Sequence, residues 1–120
     1  MDKNNTIRNS QSAESILNEV SKQPQLTIGQ EVELANKIKQ GDEGALQQVT
    51  TSNLRFVVSV AKRYQNRGLT LEELILAGNK GLEVAARKFD PQFGFKFISY
   101  AVWYIRTSIL AAIAEVSNGE

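Results

Sequence analysis

The sequence contains neither cysteine nor histidine. The first absence excludes a disulfide framework and a thiolate metal site. The second removes the commonest general base and the commonest nitrogen ligand for a transition metal. Proline occurs only at positions 24 and 91, and neither interrupts a periodic segment. No run of apolar residues approaches a membrane span, and the opening Met1-Asp2-Lys3-Asn4-Asn5 lacks a signal-peptide core. A soluble cytoplasmic protein is expected, with no cofactor, no metal and no membrane partner. At 120 residues the chain can bury one core but not two.

Aromatic residues are few, nine in all, yet five of them fall between Phe95 and Arg106 in company with two cations. Tyr100, Trp103 and Tyr104 stand at i, i+3 and i+4, so a helix puts them on one face. Ile98, Ala101, Val102, Ile105, Ile109, Ala112, Ile113 and Val116 form a separate apolar stripe at helical spacing, enough to bury that helix against a core. Two readings of the rings follow. They are surplus to folding and, beside Lys96 and Arg106, suited to stacking on unpaired bases, or they simply enlarge the core.

The net charge of +1 hides an asymmetry. Residues 1–52 carry five Lys/Arg against seven Asp/Glu, whereas residues 53–114 carry nine against four. A basic half of this size permits phosphate contacts, though many solvated helical faces have the same composition.

The hydrophobic periodicity is helical throughout, with no strand alternation, and predicts an all-α bundle of four to five helices joined by short turns. Residues 1–24 form a polar N-terminal tail in which Ser12 to Lys22 can make a short amphipathic helix through Ile16, Leu17 and Val20. Residues 25–116 make the helical domain, and 117–120 a C-terminal tail. Thr27 is placed to cap a helix through Lys39, with Val32, Leu34, Ala35 and Ile38 inward and Gly41 as its stop. Asp42 caps the next helix, expected to run as far as Gln65. Thr70 and Glu73 make a capping box for a helix reaching about Lys88. Gly78 and Gly81 sit inside it, each about 1 kcal/mol less favourable than alanine, which points to close approach by another backbone. The Asp90–Gly94 turn then leads into the aromatic helix.

No catalytic constellation emerges. Glu31 with Glu33, and Glu72 with Glu73, are paired carboxylates, but adjacent and i+2 positions on a helix do not converge, and helix-N-terminal charge explains them better. The glycines around Gly78 and Gly81 match no phosphate-cradling spacing. An enzyme is not expected.

Five blocks carry a family resemblance: Leu26–Ala35, Asn53–Lys62, Gly78–Leu82, Lys88-Phe89-Asp90 and Gly94–Arg106. With these in order, the stretch from Leu26 to Ala114 resembles regions 1.2 and 2 of housekeeping-type bacterial sigma factors, the promoter-reading subunits of RNA polymerase. The form of Phe95–Ala101 further resembles sigma factors of the Bacteroidetes. The resemblance implies that the last helix opens the −10 promoter element and holds its non-template strand. Phe89, Lys96, Tyr100 and Trp103 match positions that capture a flipped adenine, and Asn53, Arg55, Phe56 and Ser99 match the pocket for a second flipped base. Extruding a base costs a few kcal/mol, of which stacking on a ring recovers roughly 1–3 kcal/mol. Lys62, Arg63 and Arg67 would serve the phosphate backbone without reading sequence.

Several positions depart from the family pattern. Tyr104 stands where a second tryptophan helps to wedge the duplex, which implies a weaker wedge. Thr107 replaces a glutamine that contacts the first base pair, and it cannot make that residue's bidentate amide contact to adenine. In the helix expected to dock on the clamp coiled coil of the polymerase β′ subunit, through Glu73, Leu76, Ala77, Asn79 and Glu83, Leu76 and Ala77 replace a glutamine and a glutamate. Glu83 stands where methionine is frequent. The chain ends soon after Ala114 with no counterpart of regions 3 and 4, so recognition of a full promoter by this chain alone is not expected. The implied partners are the polymerase core, −10 promoter DNA and an anti-sigma factor. The alternatives are a sigma-like decoy or regulator that binds polymerase or a sigma partner without melting DNA, and a helical interaction module with neither activity, which leaves Arg55, Lys96, Tyr100 and Trp103 unexplained.

Overall fold

Three helices begin where a short polar side chain accepts from backbone donors that the helix itself leaves open. The computed structural model describes residues 25–93 and 96–118, and among them are five α-helices, one short 3₁₀ turn and no strand. The expected all-α bundle is what forms. Helix α1 (Ile28–Lys39) is opened by Thr27, whose hydroxyl accepts from Gln30 N while the Gln30 side chain accepts from Thr27 N. Gly41, at φ +91°, turns the chain out of α1, and Asp42 caps α2 (Glu43–Ser52) through Ala45 N. The Thr70–Glu73 capping box opens α4 (Leu71–Lys88) as expected.

Two expectations are corrected. The helix expected from Asp42 to Gln65 is two helices, α2 and α3 (Leu54–Lys62), parted at Asn53. Thr50-Thr51-Ser52-Asn53 is a run of poor helix formers. The Asn53 amide donates to Val49 O at 2.9 Å and the Thr50 hydroxyl to Gln47 O at 3.0 Å, so side chains compete with the backbone ladder there. Val32 does not point inward with Leu34, Ala35 and Ile38 but lies exposed. The short helix expected at Ser12–Lys22 lies outside the described residues.

After α4 the chain passes through Phe89 in extended conformation and a 3₁₀ turn (Pro91–Phe93), started by Gln92 N donating to Asp90 Oδ1, into α5 (Phe97–Asn118). Helices α4 and α5 run antiparallel and form the central pair, with Gly78 against Ile105 and Ile109, and Gly81 against Tyr104 and Ser108. Both glycines are buried, in line with the close approach inferred for them. Leu74, Leu82 and Ala85 of α4, Ala101, Ile105 and Ile109 of α5, and Val57, Val58 and Ala61 of α3 are fully buried around this axis. Helices α1 and α2 close one end through Leu34, Ile38, Leu46 and Val49.

A further correction concerns the membrane. The segment Phe97–Ser117, with mean hydropathy 1.4, is long and apolar enough to cross one by length and composition. Its burial of Ala101, Ile105 and Ile109 against α4 and α3 is that of a core helix.

Candidate nucleic-acid interface

Five rings form a row from the core to the surface. Phe97, at the start of α5, packs edge-on against Phe89 with centroids 5.2 Å apart. Phe89 meets Tyr100 at 5.7 Å, Tyr100 meets Tyr104 at 5.1 Å, and Tyr104 meets Trp103 at 5.1 Å with the planes at 88°. The hydroxyls of Tyr100 and Tyr104 are 3.0 Å apart, and Lys88 Nζ lies 5.9 Å from the centre of the Tyr104 ring. That hydrogen bond is the first cause that pushes the Tyr100 hydroxyl up to about 12; burial and the neighbouring charge of an ionised Tyr104 act in the same direction.

The row divides the two readings of the rings between different residues. Phe89 is only 4% exposed and backs Tyr100 from below. Tyr100 and Tyr104 are half-buried and packed on the core, while Trp103 is 62% exposed. Sequence spacing placed all three on one face; the tilt of that face against α4 decides which ring opens to solvent. Thr107, one turn beyond Trp103, is exposed.

A second concavity, of about 210 Å³, lies between the start of α1, the Asn53 joint and the start of α5. Asn53, Phe56 and Lys96 line it, with Gln25, Glu31 and Ile98 among the other walls. Two of the four residues matched to the second base pocket are therefore brought together. Arg55 and Ser99 lie outside the lining; Arg55 is half-buried with its guanidinium 5.9 Å from the Phe56 ring centre, and Ser99 is exposed. Lys96, matched to the adenine site, also lines this pocket.

Sequence reasoning missed Gln25, Glu31 and Ile98 because the pocket joins segments far apart in the chain. The joining contact is Phe97 N donating to Glu31 Oε1 at 3.3 Å, across 66 residues. Glu31 therefore serves two helix N-termini, as first-turn charge on α1 and as a capping acceptor for α5. The one available signal was a carboxylate on α1 opposite an α5 start that offers no capping side chain of its own.

Of the residues matched to polymerase docking, Glu73, Leu76 and Ala77 line an open groove of about 400 Å³ between α4 and the second half of α5. Leu76 is 59% exposed there, and one Glu73 carboxylate oxygen is engaged by Thr70 N. Asn79 and Glu83 are half-buried outside the groove, and the Asn79 amide oxygen is buried without a hydrogen-bond partner among the described residues. At the far end of α3, Tyr64 gathers two cations: Arg106 Nε donates to its hydroxyl at 3.3 Å, and the Arg67 guanidinium lies 5.3 Å from its ring centre. With exposed Lys62 and Arg63 this makes a basic edge adjoining α5.

The profile of the Sigma-70 region 2 family matches residues 49–117, and that of Sigma-70 factor region 1.2 matches residues 17–43. The chain belongs to the Sigma-70 region 2 family. Among its relatives are proteins named RNA polymerase sigma factor SigA. The one from a Bacillus species is 50% identical and the one from Clostridium acetobutylicum 48% identical, each over 99 residues. Each alignment covers 82% of this chain and 26% of the relative, so the chain spans about a quarter of the length of these proteins.

Proposed function

We propose that this chain is the part of a sigma factor that docks on the RNA polymerase core and holds the non-template strand of the −10 element during transcription initiation in the cytoplasm. The observation that supports it most is the ring row, which ends in one exposed indole, Trp103, beside a basic edge. A flat, open, electron-rich face next to cations suits an unstacked base whose phosphates lie alongside. Capture proceeds without bond chemistry: a base leaves the duplex stack, rests on the open face of Trp103 with Tyr100 at its edge, and its strand lies toward Lys62, Arg63 and Arg67. The second pocket, with Asn53, Phe56 and Lys96 on its walls, takes another unpaired base.

Docking on the β′ clamp coiled coil uses the groove lined by Glu73, Leu76 and Ala77. Leu76 and Ala77 offer apolar contact there in place of amide and carboxylate pairing, and an anti-sigma factor covering this groove would exclude polymerase. The likeness to sigma factors of the Bacteroidetes rests on Phe95–Ala101 alone.

The test is two-staged. The purified chain is titrated with a β′ clamp fragment, and the complex is then titrated with a −10 non-template oligonucleotide. Saturable binding is expected at both stages, with the second weakening as salt rises. No affinity for β′ even at high micromolar protein would overturn docking. Oligonucleotide binding that Trp103→Ala leaves unchanged would overturn strand capture and return the chain to the decoy reading.

A further inference from the structure

Tyr104 is hemmed in on every side that the described residues reveal. Its carbonyl lies over Gly81, so close that a methyl group on that glycine would collide with it. Lys88 approaches its ring, Trp103 stands edge-on to it, and its hydroxyl meets that of Tyr100 at 3.0 Å. Trp103, by contrast, is the most exposed aromatic side chain among the described residues.

We infer that Tyr104 is a positioning residue, which fixes the tilt and hydroxyl direction of the base-holding Tyr100 through their hydroxyl–hydroxyl hydrogen bond, and that Trp103 alone supplies the projecting ring. The inference rests on the strand-capture reading and assigns a role within it.

The chain of restraint runs from the backbone outward. Gly81 lets α5 sit against α4 at the level of Tyr104, which sets the Tyr104 Cα. Tyr100, in tilted contact, and the Lys88 cation flank the Tyr104 ring, whose hydroxyl meets that of Tyr100. Tyr100 is held from the other side by Phe89, itself packed on Phe97. Its ring is thus gripped between a buried phenyl and a hydrogen-bonded phenol. A tryptophan at position 104 has a single N–H donor and no acceptor, whereas tyrosine has both. Only the hydroxyl can accept from Tyr100 in one state and donate to it in another. When the Tyr100 hydroxyl turns to donate to a ring nitrogen of a captured base, it stays hydrogen-bonded by accepting from Tyr104.

The test uses the full chain bound to bacterial RNA polymerase core, with four −10 non-template oligonucleotides that differ only at the captured base. Tyr104→Phe keeps the ring and removes the hydroxyl. It is expected to lower the preference for adenine about fivefold, the worth of one neutral hydrogen bond. Tyr100→Phe, which also removes the donor to the base, should lower it at least as far, and the double variant no further than Tyr100→Phe, because without the Tyr100 hydroxyl Tyr104 has nothing to position. Thermal unfolding should stay cooperative, its midpoint lowered by no more than the loss of one neutral hydrogen bond, and the fluorescence of Trp103, the chain's one tryptophan, should stay as in the parent. Preference retained in Tyr104→Phe, additive losses in the double variant, or a loss accompanied by non-cooperative unfolding each overturns the positioning role while leaving strand capture standing. A parent chain with no preference at that base overturns strand capture, and the positioning role with it.

Discussion

The backbone carbonyl of Tyr104 lies over the bare Cα of Gly81, and α4 and α5 come so near here that no side chain fits between them. Alanine at position 81 would gain about 1 kcal/mol in helix propensity. It would also push a methyl group into backbone that cannot swing aside. Overpacking of this kind costs typically about 1–3 kcal/mol, occasionally more. Gly81→Ala is expected at the upper end of that range, read as a fall in the urea or thermal midpoint. Gly78→Ala should cost less, because its methyl group meets side-chain atoms that can give: Val57 Cγ1 at 2.8 Å, Ile109 Cδ1 at 3.2 Å and Ile105 Cγ2 at 3.3 Å. Equal losses at the two positions would contradict this ranking.

Trp103→Ala separates binding from stability. The indole is 62% exposed, so its removal should change unfolding free energy by no more than about 0.5 kcal/mol. Strand binding by the polymerase-bound chain should weaken by about 1–3 kcal/mol, as for loss of one base-stacking ring. Phe97→Ala should show the opposite signature, since Phe97 is fully buried. Its loss should cost about 3–5 kcal/mol of stability. Calorimetry and oligonucleotide titration on the same preparations decide both.

Alkaline stability reports on the hydroxyl pair. Below pH 10, folded and unfolded chains both keep the Tyr100 proton, and its stabilising contribution is fully present. From there to about 12 the unfolded chain releases the proton while the folded chain retains it, so stability falls as pH rises through that window. Tyr100→Phe should flatten this part of the profile. Tyr104→Phe should do much the same, because it removes the largest cause of the shift. Unfolding midpoints measured from neutral pH to 12, parent against variants, test both expectations.

Glu31 can be probed by charge and by acceptor. Glu31→Gln keeps an oxygen for Phe97 N and loses the negative charge at the α5 N-terminus, at about 0.3–1 kcal/mol. Glu31→Ala loses both, at about 1–2 kcal/mol. Hydrogen exchange at the Phe97 amide should quicken in the order parent, Gln, Ala. An unchanged rate in Glu31→Ala would show that this contact does not hold the helix start.

Local chemistry was legible in the sequence. Thr27, Asp42 and the Thr70–Glu73 box stand where helices begin, and Ala101, Ile105 and Ile109 form the buried stripe of α5. Each follows from neighbours within a turn or two. The break at Asn53 was hidden because the apolar period of Val49, Leu54, Val57 and Val58 continues across it; the signal was the polar run before it. Sorting the aromatic residues into buried Phe89, half-buried Tyr100 and exposed Trp103 required the tilt of α5 on α4, which no periodicity encodes. The second pocket was illegible for a similar reason, since its walls come from residues near 25, 53 and 97.

The hydrogen bond from Phe97 to Glu31 has a consequence in time as well as space. Contacts between residues far apart in sequence form late, because a long loop must close before they return anything. During synthesis α1 emerges first, and its carboxylate has no α5 to cap until the whole intervening chain is out. The first turn of α5, where Ser99 lies and Lys96 adjoins, is thus completed by a residue made 66 positions earlier. The start of the helix proposed to hold DNA is capped only when the first and last of the described helices meet.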